Sequence, residues 1–118
     1  MTTTPYKRGD IVLYPFSFAE DKTRFKRRPA LIVQSDDILH YSGNYLIAYI
    51  TTKSLSGPTR ICIEKGSVLW EGTGLLDTSY VLTERIEVFN AEMLIAKIGH
   101  LSDMQSINQA LRVTFALN

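Results

Sequence analysis

KTRFKRRPALIV, residues 22–33, is the stretch on which the reading of the fold turns. It crowds Lys22, Arg24, Lys26, Arg27 and Arg28 into seven residues, then passes through Pro29 into the apolar run Ala30-Leu31-Ile32-Val33. Like charges at this density repel one another and favour a solvated loop. Pro29 fixes its own φ and pushes Arg28 into extended backbone. The apolar run has the composition of a buried strand, so Arg28 is expected at the mouth of that strand. A guanidinium held there presents a planar fork that is pre-organised for a phosphate. The plainer reading of the same residues is a solvated charge run with one structural arginine.

Outward from this stretch the chain reads as short strands. Before it, Gly9-Asp10 is a turn and Ile11–Phe16 has strand composition, with Pro15 confining that strand to an edge or ending it. Ser17 to Lys26 reads as a polar loop that Phe18 and Phe25 tack to the body. After it, Arg27–Gln34 is a strand, Ser42-Gly43-Asn44 a turn, and Tyr45–Thr51 a central strand covered on both faces. Thr59–Glu64 alternates like a half-exposed strand, Gly66, Gly72 and Gly74 mark a loop around Trp70, and Ser79–Phe89 is strand again. In that last run Glu84 and Arg85 interrupt an otherwise apolar pattern.

The final thirty residues change period. Asn90 caps a short helical turn, and Lys97–Leu101 is a last strand. Ser102 with Gln105 matches a capping box, and Met104, Ile107, Leu111 and Phe115 form a stripe at helical spacing. The expected fold is therefore mainly β (α+β): a small SH3-like β-barrel with a C-terminal amphipathic helix packed on it, one domain over residues 1–118.

Composition narrows the chemistry. The chain is 45% hydrophobic and 21% charged with a net charge of +1, so it is an ordinary globular chain whose cations are concentrated in one run. Cys62 is the single cysteine, which rules out an intrachain disulfide, and its alternating segment predicts a small buried hydrophobe. The N-terminus lacks the pattern of a signal peptide and no apolar run reaches membrane-spanning length, so a cytoplasmic protein is expected. Phosphate-loop, dinucleotide, zinc-protease and nucleophile-elbow motifs are absent. His40 and His100 stand sixty residues apart, His100 reading as structural and His40 as a weak acid–base candidate. No carboxylates cluster at ligand spacing, so neither a metal site nor a cofactor is expected.

What remains is cationic and hydroxylic. In a small barrel the entrance of one strand and the exit of its antiparallel neighbour share an end, which sets Arg28 beside Thr51. A phosphodiester there finds charge neutralisation from Arg28 and a hydrogen bond from Thr51. Lys22, Arg24, Lys26 and Arg27, with Thr52 and Ser54, are the candidates for flanking phosphates, and Tyr14, Phe18, Phe25 and Tyr49 for stacked bases. Taken alone, Thr51 is also a plain β-branched strand residue.

These residues resemble the MazF/PemK family of toxin endoribonucleases. The matching pieces are Lys7–Val12, Arg27–Val33, Ile50-Thr51-Thr52, Leu82–Ile86 and Ile98–Ser102 leading into a terminal helix, in that order along nearly the whole chain. The resemblance implies a homodimeric barrel that cuts single-stranded RNA without a metal. The 2′-hydroxyl attacks its own phosphate, leaving a cyclic phosphate and a 5′-hydroxyl. It implies that Arg28 acts at the scissile phosphate and that Thr51 stabilises the transition state. It also implies a cognate antitoxin whose flexible segment occupies the RNA groove, and a toxin–antitoxin complex that binds operator DNA through the antitoxin.

Two positions depart from the family pattern. Thr23 stands where a glutamate often lies, leaving Glu20, Asp21 and Glu84 as the acid–base candidates, and Arg85 stands where glutamine is often found. The competing readings are a non-catalytic toxin such as a gyrase poison, or an RNA- or protein-binding barrel. Gyrase poisons of this fold rely on a Trp-Gly-Ile tail, whereas this chain ends Phe115-Ala116-Leu117-Asn118.

Overall fold

The computed structural model describes residues 6–17, 25–38 and 43–118. Six strands form one antiparallel sheet: β1 (Asp10–Ser17), β2 (Phe25–Ile32), β3 (Asn44–Thr51), β4 (Arg60–Ile63), β5 (Ser79–Asn90) and β6 (Ala96–His100). Their spatial order is β4-β5-β3-β2-β1-β6, so β3 and β2 are central and β4 and β6 are the edges. The sheet curls into a half-barrel, and α1 (Gln105–Thr114), the one α-helix among the described residues, follows β6. This is the mainly-β architecture with a closing helix that the sequence predicts.

Alternation along the strands divides the apolar side chains between two cores. Ile11, Leu31, Ala48 and Ile50 point to one face, where Ile107 of α1 and the loop carrying Trp70 cover them. Their neighbours Val12, Ile32 and Ile47 point to the other face with Tyr14, Tyr45 and Phe89. β3 is thus covered on both sides, as its unbroken apolar composition requires. Pro15 pairs with Arg27 on the β2 side, while β6 reaches along β1 only as far as Leu13, so its missing N–H interrupts no ladder there.

Four expectations are corrected. The polar loop between the first two strands is shorter than its composition suggests, because pairing of Ser17 with Phe25 extends both strands into it. The capping box does not form: the Gln105 N–H is accepted by the Asp103 carboxylate at 2.9 Å, and Met104 holds the cap position without a side-chain bond. Phe115 leaves the apolar stripe and is 57% exposed, because α1 stops at Thr114, whose hydroxyl bonds to Ala110 O and to Thr83. Ile107 and Ala110 are the buried positions of the helix instead. Cys62 is exposed, since Ile61 and Ile63 on either side of it pack towards the core and alternation turns the thiol outward.

Asn90 caps the 3-10 turn Ala91–Met93, its side-chain oxygen accepting from the Glu92 N–H at 3.0 Å. His100 is structural: its Nδ1 lies 2.8 Å from Oδ1 of the buried Asp10, which also receives Lys97 Nζ at 3.3 Å. Asp10 Oδ2 accepts the Lys7 N–H, so this cluster ties the start of β1 to the end of β6. Burial alone would raise the Asp10 pKa, but the bonds from Lys7, His100 and Lys97 outweigh it and hold the carboxyl below its ordinary value.

β5 carries the irregularity that shapes the site. Ile86 pairs with Ala48 and Leu82 with Tyr49, so Thr83, Glu84 and Arg85 have no partner in β3. The bulge is pinned from the other side, where Thr83 donates to Thr59 O through both its N–H and its hydroxyl. It projects Glu84 and Arg85 away from the ladder, which is why two charges fit inside an otherwise apolar strand.

Candidate active site

On the Tyr14 face, the end of β2 and β3 meets the β5 bulge and the segment after β3 to enclose a cleft of about 370 Å³. Arg28 and Thr51 both line it. Ala30 pairs with Tyr49, and continuing that antiparallel register by two residues brings Arg28 opposite Thr51. The two residues that the sequence sets together thus line one cleft just beyond the end of the β2–β3 pairing.

Arg28 is held from below and left unpaired above. Its guanidinium carbon lies 4.3 Å from the centre of the Phe16 ring, a cation–π contact that fixes the plane of the fork. Its Nε is buried and has no hydrogen-bond partner among the described residues. A buried N–H without a partner costs free energy, so this donor is poised for an incoming acceptor. The Thr51 hydroxyl accepts from the Lys53 N–H at 3.1 Å, which leaves its own proton available to donate into the cleft.

Arg60, Glu84, Arg85 and Lys53 complete the charged lining. Arg60 Nη2 lies 2.9 Å from Glu84 Oε2 and Nε lies 3.1 Å from the same oxygen, while Thr59 donates to Oε1 at 3.0 Å. The bond from Arg60, with help from Thr59 and the Arg60 charge, holds the Glu84 carboxyl below its usual pKa although burial opposes this. Two aromatic residues form the inner wall. Tyr14 and Tyr49 stack at 5.3 Å with ring planes 13° apart. Burial pushes the Tyr14 phenol up to about 12; the Arg28 charge works against this and Glu87 adds to it. The Tyr49 phenol is also raised, by burial first and then by its hydrogen bond to Glu87.

The other candidates scatter. Lys26 pairs with Phe16 and shares the Arg28 face, exposed beyond the cleft. Arg27 pairs with Pro15 on the opposite face, where with Thr52, Leu76 and Asp77 it lines a second hollow of about 390 Å³. Ser54 Oγ sits 3.3 Å from the Tyr80 hydroxyl at the surface. Glu20, Asp21, Lys22 and Arg24 lie outside the described residues, as do Phe18, Thr23 and His40.

Sequence reasoning missed Lys53 and Arg60. The signal for Lys53 was its place in Thr51-Thr52-Lys53-Ser54, directly after a site candidate. Arg60 gave none, because only the pairing of Arg60 with Leu82 beside the bulge brings it to the cleft. Four cations and one carboxylate among the lining residues suit the site to an anion. Among the described residues, no three His, Cys, Asp or Glu side chains are grouped to hold a metal ion.

A family profile described as the PemK-like, MazF-like toxin of type II toxin–antitoxin systems matches residues 7–115. A search among curated proteins finds no match. The fold is similar to that of an endoribonuclease from a mycobacterial species solved with its cognate antitoxin. That similarity has a TM-score of 0.77 at 21% identity and covers 96% of this chain and 97% of the other. A second mycobacterial endoribonuclease gives 0.75 at 21% identity over 99% and 97% of the two chains. A MazE–MazF structure from Deinococcus radiodurans gives 0.69 at 14% identity over 96% and 97%. At these identities the structural likeness speaks for the fold.

Proposed function

The chain belongs to the PemK-like, MazF-like toxins of type II toxin–antitoxin systems, and from that premise we propose that it is an endoribonuclease cleaving single-stranded RNA, messenger RNA above all. The observation that carries this reading is that Arg28, whose Nε has no hydrogen-bond partner among the described residues, lines a cationic cleft together with Thr51.

In the reaction the substrate 2′-oxygen forms a bond to phosphorus, the bond from phosphorus to the 5′-oxygen breaks, and a 2′,3′-cyclic phosphate and a 5′-hydroxyl result. Negative charge builds on the non-bridging oxygens as the fifth bond forms. Arg28 meets that charge with a fork whose plane Phe16 already fixes, so little reorganisation accompanies the step. Thr51 adds a neutral hydrogen bond. The 2′-hydroxyl proton leaves to a base and the 5′-oxygen gains a proton. Of the expected carboxylates Glu84 lines the cleft, ionised at neutral pH, yet its lowered pKa makes it a weak base. Its larger service is to hold Arg60 against the wall.

We assign the chain a cognate antitoxin, as its mycobacterial relative was solved in complex with one, and place that antitoxin's segment in the same cleft on the ground of its cationic lining. A homodimer acting on cytoplasmic mRNA completes the reading. No helix among the described residues is long and apolar enough to cross a membrane. The test is incubation of the purified protein with a long single-stranded RNA in excess chelator, followed by end-group analysis. Because side chains supply the positive charge, fragments ending in cyclic phosphate and beginning with 5′-hydroxyl are expected. Cleavage that stops in chelator and returns with a divalent ion would refute the mechanism.

A further inference from the structure

We propose that the Tyr14 hydroxyl is a third donor to the scissile phosphate beside Arg28 and Thr51, and so a catalytic residue of this cleft. The proposal rests on the endoribonuclease reading and adds a group that the sequence suggested only as a stacking surface.

Position comes first. Tyr14 is the direct β1 partner of Arg28, and directly opposed residues in antiparallel strands project side by side on one face. Tyr14 is only 2% exposed, yet it lines the cleft. The buried body is held on two sides, by the parallel stack on Tyr49 and by a tilted contact with Phe89 at 5.4 Å. A ring clamped in this way has little freedom to swing its hydroxyl elsewhere, and a donor that needs no reorganisation is most effective in a transition state.

The hydroxyl is also unclaimed. Buried tyrosines usually find a hydrogen-bond partner for their phenol. Here Tyr45 has Tyr6, Tyr49 has Glu87 and Tyr80 has Ser54. No hydrogen bond reaches Tyr14 among the described residues; only the charges of Arg28 and Glu87 are felt there. Tyr14 and Arg28 therefore bring two neighbouring donors to one cleft: Arg28 Nε, buried and without a partner, and the Tyr14 hydroxyl, which no hydrogen bond claims among the described residues. Paired donors with a cation among them suit a tetrahedral oxyanion with two non-bridging oxygens.

The phenol acts as a donor and not as a proton carrier. Burial keeps it neutral across the working range, so it holds its proton while charge builds on the phosphate. Its contribution should resemble that of a neutral oxyanion-hole group and fall below that of Arg28.

Tyr14→Phe removes one oxygen and keeps the stacked ring, so an unchanged melting temperature checks the fold. In the wild-type background kcat should fall ~10–100-fold with KM little changed, because the bond strengthens as charge develops. The pH–rate profile should keep its shape. An unchanged kcat, a rise in KM alone, or a profile that loses a limb would each overturn the proposal. Failure of the wild-type protein to cut RNA would instead sink the endoribonuclease reading. The two are separated by calorimetric binding of a uridine–vanadate complex, whose vanadium is five-coordinate like the phosphorus in the transition state, which needs no turnover. Weaker binding of that complex by Tyr14→Phe than by wild type upholds the donor role, and equal affinity, or no binding by either, refutes it.

Discussion

Arg27 and Arg28 are neighbours in sequence and face opposite ways. Strand alternation sends Arg28 to the cleft with Tyr14 and sends Arg27 to the second hollow with Thr52. Lys26 shares the face of Arg28. RNA lying along that face meets Lys26, and its phosphate carries the same charge before and during reaction. Lys26→Ala should therefore raise KM and lower the salt slope by about 0.7 for the lost contact, with kcat unchanged. Arg27→Ala should leave the salt slope where it was. Measuring KM across a salt series for both variants decides the matter, and equal slopes for the two would contradict the alternation argument. That Arg28 and Thr51 would share a site was legible in the sequence because neighbouring antiparallel strands begin and end at one side of the sheet, and both residues line the cleft. Arg60 was not, because its place at the cleft depends on where β5 bulges.

At the scale of elements, charges inside strands turned out to be informative. Glu84 and Arg85 interrupt an apolar run because β5 bulges there, and Asp10 begins β1 because three donors converge on it. Helix signals were less reliable. Ser102 and Gln105 satisfied the spacing of a capping box, but the chain places Asp103 where the Gln105 N–H needs an acceptor. Asp10 gives a pH prediction. Its folded pKa lies below the ordinary value of an aspartate, so its contribution is full above that ordinary value and is lost as pH falls through the folded one. Asp10→Asn should cost roughly 1–3 kcal/mol at pH 7 by weakening a buried hydrogen-bonded cluster. In urea titrations the gap between wild type and variant should persist down to about pH 5 and narrow below pH 4. A gap that widens on acidification would show that the carboxylate is not stabilised by its partners.

For the whole molecule, one copy presents a short cleft of about 370 Å³, near the lower end of the ~300–1,000 Å³ of ligand sites. A chain of nucleotides needs a longer channel, and two facing copies related by a two-fold axis would supply one. Light scattering at micromolar concentration should give twice the 13.4 kDa chain mass. Full activity from a species of one chain mass would contradict the dimer. The mainly-β fold and its closing helix were readable from alternation and periodicity, whereas the curl that makes the cleft arises from tertiary packing. The central claim is that Arg28 acts on charge that appears only in the transition state. The most direct test is single-turnover cleavage of one defined RNA by wild type, Arg28→Ala and Arg28→Lys, each confirmed as folded. The account predicts a loss of roughly 10²–10³ in rate for Arg28→Ala and no rescue by lysine, whose point charge lacks the fork. Folded Arg28→Ala cutting at the wild-type rate would make Arg28 a structural arginine and contradict the account.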